Sequence, residues 1–253
     1  MENVSSDYDL LRVKRESLLL LKERGYVIPS DEAQMLREDI TIYEFKNLYE
    51  NFRNDPGHLL YEYISKREPR VALSNVYNRG KEQCLVYFAE SETGKTKKRE
   101  VSKFEVANFC RIIADLEVNE AIMICNVPSS PTVETLVTNI CEKTENKNEG
   151  VLIQYFMDEE LLYNPLNHVY VPKHRILSNE EKEEMVKVYK IKGSQLPQIS
   201  VFDPVCKRLG ARPDNIIEIE RKILIDTTTT NNLIEEEISY RSVIVPFVSK
   251  TRK

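Results

Sequence analysis

The chain has 253 residues, 41% hydrophobic and 30% charged, which is room for one large core or two modest domains and the balance of a soluble globular protein. Its net charge of −5 is divided unevenly, −8 over residues 1–165 and +3 over 166–253, so neither part is the basic clamp that grips nucleic acid by neutralising phosphates. No apolar run approaches the ~20 residues of a membrane span, the acidic start MENVSSDYDLL is unlike a signal peptide, and five cysteines (Cys84, Cys110, Cys125, Cys141, Cys206) without a C-x-x-C pair suit buried free thiols. An intracellular protein without membrane contact, disulfide or zinc is expected.

A first helix is predicted over about Asp7 to Arg24, with Leu11, Leu18 and Leu21 on its apolar side and Gly25 as the stop. Thr41 and Glu44 form a capping box ahead of Phe45, Leu48, Tyr49 and Phe52 at helical spacing. After the punctuated stretch DPGHLL, the runs RVALSNVY and CLVYFA read as strands. Ser102 and Glu105 then open a helix carrying Val106, Phe109, Cys110 and Ile113, and EAIMICNV gives a short buried strand. Ser130-Pro131 starts another helix whose apolar face is Val133, Leu136, Val137, Ile140 and Cys141, and GVLIQYFM follows as a strand. Strands joined by crossover helices pair in parallel, so residues 70–160 are expected to form an α/β layer.

The texture changes near Asn164-Pro165. NHVYVPKH is strand-like up to its proline, Ser178 and Glu181 cap the helix EEKEEMVKVYK, and QLPQI, DPV, NIIEIERKILI, the polar tract DTTTTNN and ISYRSVIV make a small β-rich module. The expected fold class is α+β: N-terminal helices plus a three-layer α/β domain over residues 1–165, then a β-rich domain over 166–253.

Few residues here suit catalysis. The stretch AESETGKT ends like a phosphate-binding loop, but Ala89 stands where that loop needs its first glycine, and Glu90 and Glu92 would oppose a triphosphate. A polar turn with Gly94 as its permissive residue is the expectation. His168 and His174 have no third ligand at a sensible spacing, and the central strands lack the acid cluster of a metal-dependent nuclease. No cofactor, metal or catalytic residue is expected; a free-standing α/β NTPase or nuclease is the alternative from another class.

The second module carries the informative pattern. Val169-Tyr-Val-Pro-Lys-His174, Leu177-Ser-Asn-Glu-Glu-Lys182, Tyr189, Ser194-Gln-Leu-Pro-Gln-Ile199, Asp203-Pro-Val205, Gly210 and Tyr240-Arg241 occur in one order. This resembles the assembly domain of the fifth subunit shared by eukaryotic RNA polymerases I, II and III, to which a small archaeal polymerase subunit is similar throughout. The leading helices with the segment ending at Gly25-Tyr26, and the α/β order after them, are similar more diffusely to that family's jaw domain. The sequence departs from the pattern at Asn215, where the family has glycine and where asparagine tolerates left-handed backbone. Residues 223–238 look like an insertion, and PFVSKTRK extends the usual end.

The resemblance implies a non-catalytic polymerase subunit in the nucleus, or in a cytoplasmic viral factory or virion if a virus encodes it. His174, Gln195, Leu196, Pro197, Ile199, Asp203, Pro204, Val205, Gly210, Tyr240 and Arg241 would form the assembly site for the largest subunit. Pro128, Ser129, Ser130 and Pro131 would face downstream duplex DNA, held weakly and without sequence preference. Other polymerase subunits are the implied partners, rather than a second copy; an adaptor that reuses the assembly domain is a further alternative.

Overall fold

A computed structural model describes residues 2–65, 70–93, 99–128, 150–190, 195–225 and 233–245. The chain divides into two compact units, Met1–Tyr163 and Asn164–Lys253.

In the first unit, α1 (Glu2–Glu23) ends where Gly25 takes a φ of +83°, a conformation that costs a side-chain-bearing residue more than glycine. Two short helices, α2 (Ser30–Ala33) and α4 (Tyr61–Ile64), flank α3 (Ile42–Asn54), whose Thr41 and Glu44 close the expected capping box. The sheet follows: β1 (Asn75–Arg79), β2 (Glu82–Phe88), β5 (Glu120–Cys125) and β6 (Leu152–Met157), in that spatial order. β1 is antiparallel to β2, while β2, β5 and β6 are parallel neighbours. The crossover helix α5 (Lys103–Leu116) connects β2 to β5, and the short α6 (Asp158–Leu161) follows β6 directly. Residues 129–149, between β5 and β6 and including the second expected crossover helix, lie outside the described residues.

The parallel strands are buried on both faces, and β5 is buried at all six positions. One core joins Leu11, Leu18 and Leu21 of α1 and Phe45 of α3 to Val86, Phe88, Ile122, Ile124 and Phe156. The opposite core joins Val106, Phe109 and Ile112 of α5 to Leu85, Tyr87, Met123 and Ile153. Alternate residues along β2 and β5 thus feed opposite cores, as the period of a strand requires. The result is helices, sheet, helix in three layers.

One sequence expectation shifts here. RVALSNVY becomes a strand only from Asn75, because Val71–Leu73 form a 3-10 turn buried at every residue. The Phe88 N–H, which would carry another rung, donates instead to Ser74 Oγ at 3.0 Å and ends the ladder. AESETGKT lies across a hairpin, since β3 (Ser91–Thr93) pairs antiparallel with β4 (Arg99–Val101). A phosphate loop must run from strand to helix, and this segment runs from strand to strand; residues 94–98 themselves lie outside the described residues.

Two buried ionic clusters tie the first unit together. Lys14 Nζ donates to Glu32 Oε1 (2.9 Å), the Leu73 carbonyl (2.9 Å) and Tyr77 OH (2.8 Å), and Tyr77 OH donates to Glu32 Oε2 at 2.5 Å. Arg24 pairs with Glu120, which also accepts from Tyr26 OH at 2.8 Å, while Arg24 Nη2 reaches Gln154 Oε1 at 2.7 Å. Buried charge persists because it is paired and hydrogen-bonded. Cys84, Cys110, Cys125 and Cys206 are free thiols; burial pushes Cys84 and Cys206 up to about 12, which leaves them protonated and unreactive. Cys141 lies outside the described residues, and no described helix is long and apolar enough to cross a membrane.

Candidate assembly surface

The second unit is built on one sheet in the order β7-β9-β10-β8. β7 (Lys173–Ile176) runs antiparallel to β9 (Ile216–Ile225), β9 antiparallel to β10 (Leu233–Ile244), and β10 parallel to β8 (Gln198–Ser200). NHVYVPKH is therefore a strand only after its proline. Pro165–Asn167 form a 3-10 turn, Val171 N–H closes on the His168 carbonyl at 2.9 Å, and the ladder begins at Lys173 opposite Glu220. Proline has no N–H for a rung, so it sits just ahead of the strand.

α7 (Asn179–Tyr189) starts with the predicted capping box: Glu181 N–H donates to Ser178 Oγ at 3.2 Å, and Ser178 N–H to Glu181 Oε2 at 2.8 Å. That backbone donor, followed by the Arg175 guanidinium, holds the Glu181 carboxyl below its ordinary value. Arg175 bridges Glu181 (2.5 Å) and Glu218 of β9 (2.8 Å), and thereby links β7, α7 and β9.

The predicted assembly residues gather in this unit, where the geometry divides them by task. Leu196 belongs to a small core with Leu177, Met185 and Ile216, to which Tyr240 adds partial cover. Ile199 packs on the other small core, made by Cys206, Ala211, Ile217, Ile219 and Val243. Val205 is buried as well. Asp203 is the N-cap of α8 (Pro204–Leu209), accepting from Val205 N–H at 2.9 Å, with Pro204 at the first turn. Gly210 ends that helix at φ +70°. The Pro197 carbonyl accepts from Ser242 N–H at 2.9 Å, Arg241 Nη1 reaches the Gln198 carbonyl at 3.5 Å, and His174 Nδ1 donates to the Pro172 carbonyl at 2.7 Å. Gln195 and Pro197 are exposed. Most of this set thus holds the unit's own fold. The exposed apolar side chains lie elsewhere: Val169 and Tyr170 are each 87% exposed, and Phe202, Val188 and Tyr189 also project into solvent. Phe202 lies two residues past the end of β8 and precedes the Asp203 cap, so only burial sets it apart from Val201.

Asn215 does not take left-handed backbone. Its neighbour Asp214 does, at φ +66°, while Asn215 Oδ1 accepts from Arg212 N–H at 2.7 Å and closes the turn. Of the four residues expected to face DNA, Pro128 is exposed just beyond the C-terminal end of β5; Ser129, Ser130 and Pro131 lie outside the described residues. His168 and His174 join no described group of three or more ligand-type side chains.

Comparison with known proteins addresses this unit directly. A family model described as RNA polymerase Rpb5, C-terminal domain, matches residues 163–243. A Thermococcus kodakarensis protein, DNA-directed RNA polymerase subunit Rpo5, is 58% identical over 60 residues, which make up 24% of this chain and 73% of that protein. The chain belongs to the Rpb5 family of RNA polymerase subunits. Longer Rpb5-family relatives span both units. The Dictyostelium discoideum protein, DNA-directed RNA polymerases I, II, and III subunit rpabc1, is 25% identical over 212 residues, 84% of this chain and 89% of its own length. The Caenorhabditis elegans subunit RPABC1 is 25% identical over 214 residues, with 85% and 89% covered.

Proposed function

We propose that this chain is a non-catalytic, structural subunit of a nuclear DNA-directed RNA polymerase, in which the second unit docks on the largest subunit and the first unit forms part of a jaw beside downstream duplex DNA. The observation that carries the reading is the 58% identity to an archaeal polymerase subunit over 60 residues, set beside the apolar side chains that the family-matched unit leaves in solvent. Val169 and Tyr170, both 87% exposed, are the proposed anchors: large apolar side chains of this kind lose water only against a partner. A structural part is supported by the buried charges of the first unit, since Lys14, Glu32, Arg24 and Glu120 engage one another rather than a substrate.

Co-purification tests the docking. Val169→Asp combined with Tyr170→Asp should leave the circular dichroism and melting of the free chain unchanged, yet remove the other polymerase subunits from the tagged chain. Stoichiometric recovery of the largest subunit with this variant would place the docking surface elsewhere. For the jaw, the proposed DNA contact is the segment Pro128–Pro131, which follows β5 and whose Ser130-Pro131 pair reads in sequence as a helix start, a source of N–H donors for phosphate without basic side chains. A photo-crosslinker at Ser129 or Ser130 in the assembled polymerase should label downstream DNA more than one at Thr93. Equal labelling from the two places would remove the DNA contact and leave the subunit assignment standing.

A further inference from the structure

The β9–β10 hairpin outgrows its sheet. Its register runs for ten rungs, from Ile216 opposite Ser242 to Ile225 opposite Leu233. β7 covers β9 only from Ile217 to Glu220, and β8 covers β10 only from Ser242 to Ile244. From the rung of Arg221 and Glu237 outward, no described strand lies on either side, a bare ribbon of about 17 Å at ~3.4 Å per residue. A two-stranded ribbon is marginal in water, and its open edge offers unpaired N–H and C=O groups to any extended chain. This segment coincides with residues 223–238, which depart from the family pattern in sequence.

The hairpin already shows which chemistry its flanks accept. Along the base of β9, the strand that pairs is β7, with a cation at alternate positions: Lys173 lies opposite Glu220 and bonds it at 3.3 Å, and Arg175 lies opposite Glu218 and bonds it at 2.8 Å. Further along β10, Glu235, Glu236 and Glu237 follow one another in sequence, and the described side chains of Glu236 and Glu237 are exposed, next to Ile238 at 55% exposure.

We infer that the open edge of β10 from Glu236 to Ser239 is a docking site for an extended, basic segment of a partner protein, which adds as a further strand with lysine or arginine on the face of Glu237 and an apolar residue against Ile238 on the other. Strand addition draws affinity from backbone hydrogen bonds and selectivity from alternate side chains. A second copy of this chain is a poor occupant, because two such edges would set glutamate against glutamate. The inference does not rest on docking to the largest subunit, and a polymerase that assembles normally neither supports nor weakens it.

The test titrates the full chain with three short peptides: one alternating lysine with valine, one alternating glutamate with valine, and the lysine peptide N-methylated along one edge so that its charge remains but it cannot donate to a strand. The lysine peptide should bind and slow amide exchange across residues 236–239. Glu236→Lys with Glu237→Lys should weaken that binding about tenfold or more, as expected when like charges are brought together, while the melting of the chain holds. The glutamate and N-methylated peptides should not bind. Equal binding of the methylated peptide would reduce the effect to diffuse charge and overturn the inference, as would protection falling elsewhere. Protection of the same amides by concentration-dependent self-association, without peptide, would assign the edge to a second copy and overturn it too.

Discussion

The first unit covers its sheet with helices on both faces and carries charge in its interior: Lys14 and Glu32 are fully buried, and Arg24 meets Glu120 beneath the surface. The second unit has two small cores of five and four buried residues on opposite sides of its sheet, and its ion pairs at Arg175 and Lys173 lie in solvent at the rim. Small cores leave little stability in reserve, and such a unit gains by covering its exposed Val169, Tyr170 and Phe202 with a partner. The larger unit can hold a desolvated lysine because enough apolar burial surrounds it to offset the cost and to keep its acceptors in place. The same contrast separates what mutation should do in each unit.

The largest effect is expected inside the first unit. Glu32→Ala leaves the Lys14 ammonium buried without its carboxylate, at a cost of about 3 to 5 kcal/mol. Equilibrium denaturation read by hydrogen exchange should show the amides of α1 and β1 opening early while those of β9 keep their protection. Simultaneous loss in both units would mean that they unfold as one. Pairing Lys14→Met with Glu32→Gln should recover much of the loss, because no unpaired charge then remains.

A smaller effect is expected in the second unit. Ile217→Ala removes a fully buried side chain from a five-residue core and should cost about 2 to 3 kcal/mol, the low end for such truncations because a small core collapses readily around the gap. Read by the same exchange experiment, it should open β9 and β10 and spare the first unit. Assembled polymerase should mask part of the loss, since a partner that binds only the folded state stabilises it by mass action.

The smallest effect is an acid limb. Glu181 of the second unit and Glu44 of the first are both held below 4.5, chiefly by the backbone N–H groups of Ser178 and Thr41. A carboxyl with a depressed folded value stabilises above its ordinary range, and that contribution is lost as pH falls through the depressed value. Both carboxyls are exposed, so the slopes should be shallow. Below pH 4.5 the Glu181→Gln variant should lose stability less steeply than the unaltered chain in the second unit only, and Glu44→Gln in the first unit only. Identical acid limbs for either variant and the unaltered chain would show that the boxes carry no pH dependence.

Local grammar was read well from sequence. The capping boxes at Thr41 and Ser178 form as spelled and Gly25 ends a helix at positive φ, whereas Asp203-Pro204, read as a turn among short strands, opens a helix that Gly210 ends. Ser102 caps α5 as expected, but Glu105 does not complete a box: it turns inward and accepts from Tyr87 OH at 2.7 Å. Propensity also misplaced two strands. Val71–Leu73 has strand composition, yet Ser74 takes the next donor of β2; Val169–Val171 has it too, yet Pro172 keeps the ladder from starting before Lys173. Asn215 is the residue best suited by type to left-handed backbone, but the turn gave that position to Asp214. The resemblance marks Leu196 for assembly and leaves out Tyr170, yet Leu196 is core and Tyr170 is exposed.

Sequence by itself determined where the helices capped by Thr41, Ser102 and Ser178 start, the two textures of the chain and the family of its second half, because those signals are carried by residues within a few positions of one another. Only the tertiary structure decided that Lys14 would find Glu32 and Tyr77, that Glu120 would receive Arg24 across 96 positions, and that β9 and β10 would run on past their neighbours. The reason is physical. A cap closes over three residues at little entropic cost, whereas these pairings become favourable only once packing has brought distant segments together and removed the water that would otherwise compete for the same groups.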